Sequence, residues 1–277
     1  MRISFTKMNG AGNDFVMIHD ADRSLRASRE WIRRLCERRR GVGADGVILV
    51  QPEEGVDFRM IYFNSDGGEA EMCGNGARCA ALFAASLGLG RREGDEVGLS
   101  FVARPGRMQA KVRGGRAAIS MTEASGFERA VSLEVPGGEE VVHLINSGVP
   151  HAVVVENNWD ALGDAEVAAR GRAIRYHDKF APAGVNADFV RVESGGMAAI
   201  RTYERGVEAE TLACGTGAVA AAVVLAHLDL LQSPVRLVTL GRELLTVSFR
   251  KTPGGATDVV LEGPAAVNFE GWATFEE

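Results

Sequence analysis

Two stretches of this chain, residues 74–87 (GNGARCAALFAASL) and 215–228 (GTGAVAAAVVLAHL), are apolar on almost every face a helix could present. A helix of that kind has no side to offer water and must be buried all round. Glycine-punctuated strand segments surround both stretches, so each helix is expected at the centre of a strongly curved, mainly antiparallel sheet. The Ala, Gly and Ser side chains let the strands approach closely. Each helix is headed by the same phrase, Cys-Gly-Asn-Gly at 73–76 and Cys-Gly-Thr-Gly at 214–217, 141 positions apart (214 − 73). Tyr62 and Tyr203 each stand eleven residues before the cysteine, and Glu-Ala-Glu recurs at 69–71 and 208–210. The repetition predicts an α/β (α+β) chain of two pseudo-symmetric halves, with a site in the cleft between them.

Hairpins are predicted at 111–119, turning at Gly114-Gly115, at 190–203, turning at 194–196, and at 249–261, turning at 253–255. Ser28 reads as the N-cap of a helix over 29–39, with Glu30 in its first turn and Gly41 just beyond its end. The halves are expected to divide as 1–117 plus 264–277, carrying Cys73, and 118–263, carrying Cys214. The closing segment is expected to return and pair beside Ile3-Ser4-Phe5.

A chain of 277 residues, 46% hydrophobic and 25% charged, can bury a core without disulfides or metals. Its net charge of −6 leaves no basic footprint for a nucleic-acid partner. Lysine occurs only at 7, 111, 179 and 251, which disfavours a Schiff-base cofactor. No signal-peptide core opens the sequence, and the longest apolar run, Ala218 to Leu228, is too short to span a bilayer. The four cysteines (36, 73, 79, 214) match no zinc spacing and point to free thiols in the cytosol. The expectation is a cytoplasmic protein with no metal, cofactor, membrane or nucleic-acid partner.

A cysteine at a helix start sits at the positive end of the helix dipole, which favours its thiolate. The amides of the next residues suit an anion such as a carboxylate, and Gly74 and Gly215 let it approach the backbone. Two such ends facing one another could hold a carboxylate with its α-carbon between two sulfurs. One thiolate would take the α-proton while the opposite thiol returned a proton to the other face. The two sulfurs would share one proton and titrate together. Cys36 and Cys79 fall inside helices and read as core.

The phrases GAGNDF at 10–15, GVGADG at 41–46, FNSDGGEAEMCGNGARC at 63–79, GVNADF at 184–189 and YERGVEAETLACGTGA at 203–218 closely resemble those of diaminopimelate epimerases. The likeness runs to GPAAVNFEGW at 263–272. It implies a cofactor-independent two-base epimerase that converts LL-diaminopimelate to the meso form, in lysine and cell-wall precursor synthesis. It also implies a cytoplasmic homodimer, with Phe269 at a position used for dimer contact. By motif, Cys73 and Cys214 correspond to the acid and base. Gly74, Asn75, Gly215 and Thr216 correspond to the carboxylate cradle, and Asn13, Asn64, Asn186, Glu204 and Arg205 to further substrate contacts. Arg205 offers a fork for a carboxylate and Glu204 a charge for an ammonium. His151 and Glu204 correspond to groups that adjust thiol acidity. Val149 and Gly46 depart from the pattern, standing where many members carry Asn and some carry Gln. The alternatives are a proline-racemase or phenazine-type isomerase of the same fold, and a redox sensor with a switching 73–214 disulfide.

Overall fold

The structure is a computed structural model that describes residues 2–70 and 73–274. Glu71, the last residue of the first Glu-Ala-Glu, lies outside the described residues. The chain forms two compact units, one of residues up to 120 together with those from 262 onward, the other of residues 121–261.

The first unit opens with β1 (Arg2–Gly10), β2 (Asn13–His19), α1 (Arg29–Cys36), β3 (Gly46–Gln51) and β4 (Phe58–Asn64). It continues with α2 (Gly74–Ser86), β5 (Arg91–Glu93), β6 (Glu96–Ala103), β7 (Gly106–Arg113) and β8 (Arg116–Ser120). The second unit contains β9 (Ser125–Val135), β10 (Gly138–Asn146), β11 (Pro150–Val155), α3 (Asp164–Arg175), β12 (Asn186–Glu193) and β13 (Met197–Glu204). Then come β14 (Ala209–Thr211), α4 (Gly215–His227), β15 (Val235–Val238), β16 (Leu244–Thr252) and β17 (Gly255–Pro264), whose last three residues already belong to the first unit. The last strand, β18 (Ala266–Thr274), belongs to the first unit, where it pairs antiparallel with β1 and sets Ile3 opposite Ala273.

Strand for strand, the two units repeat one pairing scheme. In the first, β1 and β2 are antiparallel, β2 and β3 parallel, β3 and β4 antiparallel, β4 and β6 parallel, and β6 and β7 antiparallel. In the second, β10, β11, β12, β13, β15 and β16 follow the same alternation. The parallel steps are the ones that enclose a helix, as a crossover between parallel strands requires.

Inside the first unit α2 touches β1, β2, β3, β4, β6, β7 and β8. Inside the second, α4 touches β10, β11, β12, β13, β15 and β16. Ala77, Ala80, Ala81 and Ala84 of α2, and every residue from Ala218 to Leu225 of α4, have no exposed surface. Gly10 shows how close the packing is: a Cβ there would lie 2.7 Å from the Asn75 carbonyl. Helices α1 and α3 cover other strand faces. Trp31, Ile32 and Leu35 of α1 pack on Val16, Ile18, Val47 and Leu49, while Val167 and Ile174 of α3 pack on Ala152, Val154, Ala187 and Phe189. Strands sandwiched this way are apolar on both faces, and β2 and β3 show it.

Ser28 caps α1 by accepting from the Trp31 amide at 3.2 Å. That helix stops at Cys36 rather than continuing to 39, because Glu37 takes an extended conformation. The Leu35 carbonyl then accepts from Val42 and Gly43 as the chain folds back. Cys36 and Cys79 are buried, and burial pushes each thiol up to about 12. Among the described residues, no helix is long and apolar enough to cross a membrane.

Candidate active site

In the first unit, β2 and β3 begin, and β4 ends, at one edge of the sheet, because β3 runs parallel to β2 and antiparallel to β4. That edge carries Asn13, Asp45 and Asn64. Cys73 is the N-cap of α2, with φ −138° and ψ 112°, and its sulfur accepts from the Gly76 amide at 3.4 Å. The amides of the first turn lie outside the helix ladder and point from the helix N-terminus. Asn75 is buried, and its side-chain amide donates to Asn13 Oδ1 at 2.6 Å, while its carbonyl accepts from the buried Arg78 at 2.7 Å. Asn13 in turn donates to Asp45 Oδ2 at 2.9 Å. Asn13 and Asn75 are thus one polar relay beside Cys73. Asn64 is exposed at the end of β4, where its amide donates to the Gly68 carbonyl and its carbonyl accepts from Gly67 in a tight turn.

Behind Asn13, Asp14 receives Lys7 at 2.7 Å and two bonds from Arg38 at 2.9 Å. Burial works to raise its carboxyl, but the Arg38 and Lys7 bonds outweigh it and hold the pKa at about 2. Gly46 has no room for a side chain. A Cβ there would lie 2.4 Å from the Phe63 carbonyl oxygen and 2.5 Å from the Tyr62 ring. The space a longer residue would need at that position is filled by Tyr62.

The second unit builds a corresponding edge from the starts of β11 and β12 and the end of β13. Cys214 is the N-cap of α4, with φ −115° and ψ 118°. Its sulfur accepts from the Gly217 amide at 3.3 Å and lies 3.4 Å from the Thr216 hydroxyl. Both contacts favour a thiolate, as the helix-start argument anticipates. Burial nevertheless drives the thiol well above its ordinary value, and the negative charges of Glu204 and Asp188 push it further the same way. Neither Cys73 nor Cys214 is in a disulfide.

Glu204 is partly buried, accepts from the Thr211 hydroxyl at 3.0 Å, and has its carboxyl raised by burial. Asn186 donates to the Pro150 carbonyl at 3.2 Å and accepts from the Arg205 amide at 2.8 Å, which ties the strand ends of β11 and β13 together. The Arg205 guanidinium reaches the Ala183 carbonyl at 3.4 Å. Ser147, fully enclosed, donates to the Thr216 carbonyl at 2.9 Å and fixes the first turn of α4. His151 is fully buried, with Nδ1 2.7 Å from Asp188 Oδ2, and Thr202 donates to Asp188 Oδ1 at 2.7 Å.

Sequence reasoning missed Asp188, Thr202, Thr211 and Ser147. The signal for Asp188 was present: it stands two residues after Asn186 in a strand, hence on the same face, amid apolar neighbours. No group of three His, Cys, Asp or Glu side chains among the described residues could hold a metal ion.

A family model described as diaminopimelate epimerase matches residues 5–126 and 143–265. A diaminopimelate epimerase of Hydrogenobaculum sp. is 38% identical, with 98% of each chain covered. One of Aquifex aeolicus is 39% identical, with 97% of each covered. Among solved structures, a probable proline racemase from Agrobacterium radiobacter matches with a TM-score of 0.76 at 15% identity, covering 99% of this chain and 93% of that one. A phenazine biosynthesis protein of the PhzF family from Bacillus anthracis matches at 0.73 and 16% identity, covering 99% and 100%. At such identities these two show a shared fold.

Proposed function

Because the chain belongs to the diaminopimelate epimerase family, we propose that it inverts one α-carbon of diaminopimelate, interconverting the LL and meso forms with two cysteines and no cofactor. The observation that carries this reading is the doubled thiol. Each unit has a cysteine as N-cap of the helix its strands enclose, with its sulfur on the amide three residues on. The substrate's reacting carboxylate binds the first-turn amides of Gly74 and Asn75 and of Gly215 and Thr216. One sulfur, as thiolate, takes the α-proton. The electron pair left on carbon is stabilised by the adjoining carboxylate, whose growing charge those amides meet with pre-set dipoles. The other sulfur, as thiol, delivers its proton to the opposite face. After turnover the two sulfurs have exchanged protonation states, and the reverse reaction runs the same path.

Asn13, Asn64, Asn186, Glu204 and Arg205 are assigned to the rest of the substrate, a second carboxylate and ammonium. Arg205 is suited to the carboxylate and Glu204 to the ammonium. His151 and Glu204 adjust the acidity of Cys214. The Asn13–Asn75 bond supports this arrangement, since it holds an assigned contact against the first turn of α2. Gly46 and Val149 supply no polar side chain, so the distal end of the substrate is held without one from either position.

The enzyme is assigned to the cytoplasm and to lysine and cell-wall precursor synthesis. It is also assigned as a homodimer through the face of β18 that exposes Val267 and Phe269. Light scattering should give twice the mass of one chain, falling to one on Phe269→Glu. A monomeric wild type would remove the dimer from the account.

The activity test is direct. Reduced enzyme given LL-diaminopimelate should yield the meso form, and Cys73→Ala or Cys214→Ala should each abolish conversion, since one sulfur serves one face. A wild-type rate in either variant would eliminate the two-thiol mechanism, and conversion of proline alone would select the racemase reading.

A further inference from the structure

We propose that Asp188 is a positioning residue for the chemistry at Cys214. Its buried carboxylate holds the His151 imidazole in the tautomer with its proton on Nδ1, which leaves Nε2 as the ring's acceptor. This deepens the epimerase reading and rests on it for the part His151 plays.

The geometry points to one orientation of every proton. A carboxylate only accepts hydrogen bonds, so the contact of 2.7 Å between Asp188 Oδ2 and His151 Nδ1 requires the proton on the ring. The other oxygen accepts from the Thr202 hydroxyl at 2.7 Å, which fixes the rotation of the carboxylate. Both the His151 and Asp188 side chains have no exposed surface. Within that enclosure His151 Nε2 is buried and has no hydrogen-bond partner among the described residues. Buried polar atoms are rarely left that way, and one kept so at a site is open to a ligand or a moving proton. Three strands are joined by these bonds, since His151 lies in β11, Asp188 in β12 and Thr202 in β13.

The same carboxylate also lies against the turn that holds the sulfur. A Cβ at Gly217 would come within 2.5 Å of Asp188 Oδ1, and it is the Gly217 amide that donates to the Cys214 sulfur. Asp188 therefore contacts the backbone supporting Cys214 and the ring assigned to tune it. Asparagine at 188 would preserve the shape and reverse the logic. Its carbonyl would stay with the Thr202 hydroxyl, its amide would face Nδ1 as a donor, and the ring proton would move to Nε2.

The experiment reads that proton. Enzyme labelled with nitrogen-15 histidine contains only five such residues, and His151→Gln identifies the signal by its loss. Long-range proton–nitrogen correlation at pH 7 should find wild-type His151 protonated on Nδ1 and bare on Nε2. In Asp188→Asn the proton should move to Nε2, with kcat down about 10- to 100-fold and KM within about threefold, a scale taken from the partners that orient metal-ligating histidines. Thr202→Ser should keep the wild-type tautomer and rate, and Thr202→Val should lose part of both. A wild-type ring protonated on Nε2 would overturn the proposal. So would an Asp188→Asn enzyme with a moved proton and unchanged kcat. The wild-type spectrum decides even if Asp188→Asn fails to fold. It is taken without substrate, so failure to convert diaminopimelate would count against the epimerase reading alone.

Discussion

Cys214 shows two opposed influences on one atom. The Gly217 amide and Thr216 hydroxyl favour its thiolate, while burial, Glu204 and Asp188 favour the thiol, and the second group wins. The sign of the Glu204 effect is testable. Glu204→Gln removes a neighbouring negative charge, so the pH midpoint for alkylation of Cys214 by iodoacetamide, followed by peptide mass spectrometry, should move down. An unmoved or higher midpoint would show that Glu204 does not act on the thiol. Asp188 belongs to the same surroundings; its place on the Asn186 face could be read from the strand, but its partner could not. Its meaning comes from His151, 37 residues earlier, and only the parallel pairing of β11 with β12 brings the two together. The two cysteine N-caps were legible because each heads its helix in the same words.

At the scale of elements, α2 and α4 were legible because an all-round apolar pattern admits no exposed face. The closing strand beside β1 was legible as well. Helix α1 was read too long, since its cap at Ser28 is local but its end depends on where Val42 and Gly43 return. Helix α3 was not read at all. Its buried positions are only Val167, Gly171 and Ile174, set among Arg and Ala, and a sparse stripe like that gives little periodic signal. The polar relay at the start of β2 was equally hidden, because Lys7, Asp14, Arg38 and Asp45 meet only after β1, β2 and β3 have paired. That relay should be visible in stability. The Asp14 carboxyl is lowered from 3.8 to about 2 when folded, so its contribution is present above pH 4 and is lost as pH falls toward 2. With Asp14 18% and Arg38 60% exposed, solvent screening trims the effect to about 1–2 kcal/mol. Urea unfolding should find Asp14→Asn less stable than wild type by that amount at pH 7, with the gap closing near pH 2. A gap that persisted at low pH would mean that the asparagine disrupts packing instead.

At the scale of the molecule, one scheme of strands and a central helix is built twice, and each copy begins its helix at a cysteine N-cap. A single copy could remove a proton from one face of a carbon; inversion needs a donor on the other. The two copies differ in what lies around the helix start. The first surrounds its thiol with an asparagine relay, and the second with a buried His–Asp pair and a raised glutamate. The central claim is that the proton leaves to one sulfur and arrives from another. It is tested by following LL-diaminopimelate in D₂O through the first few per cent of conversion. The account predicts deuterium at the inverted carbon of every meso molecule formed, while the remaining LL substrate keeps its α-hydrogen. Deuterium entering LL and meso together from the outset would mean that one base serves both faces, and would contradict it.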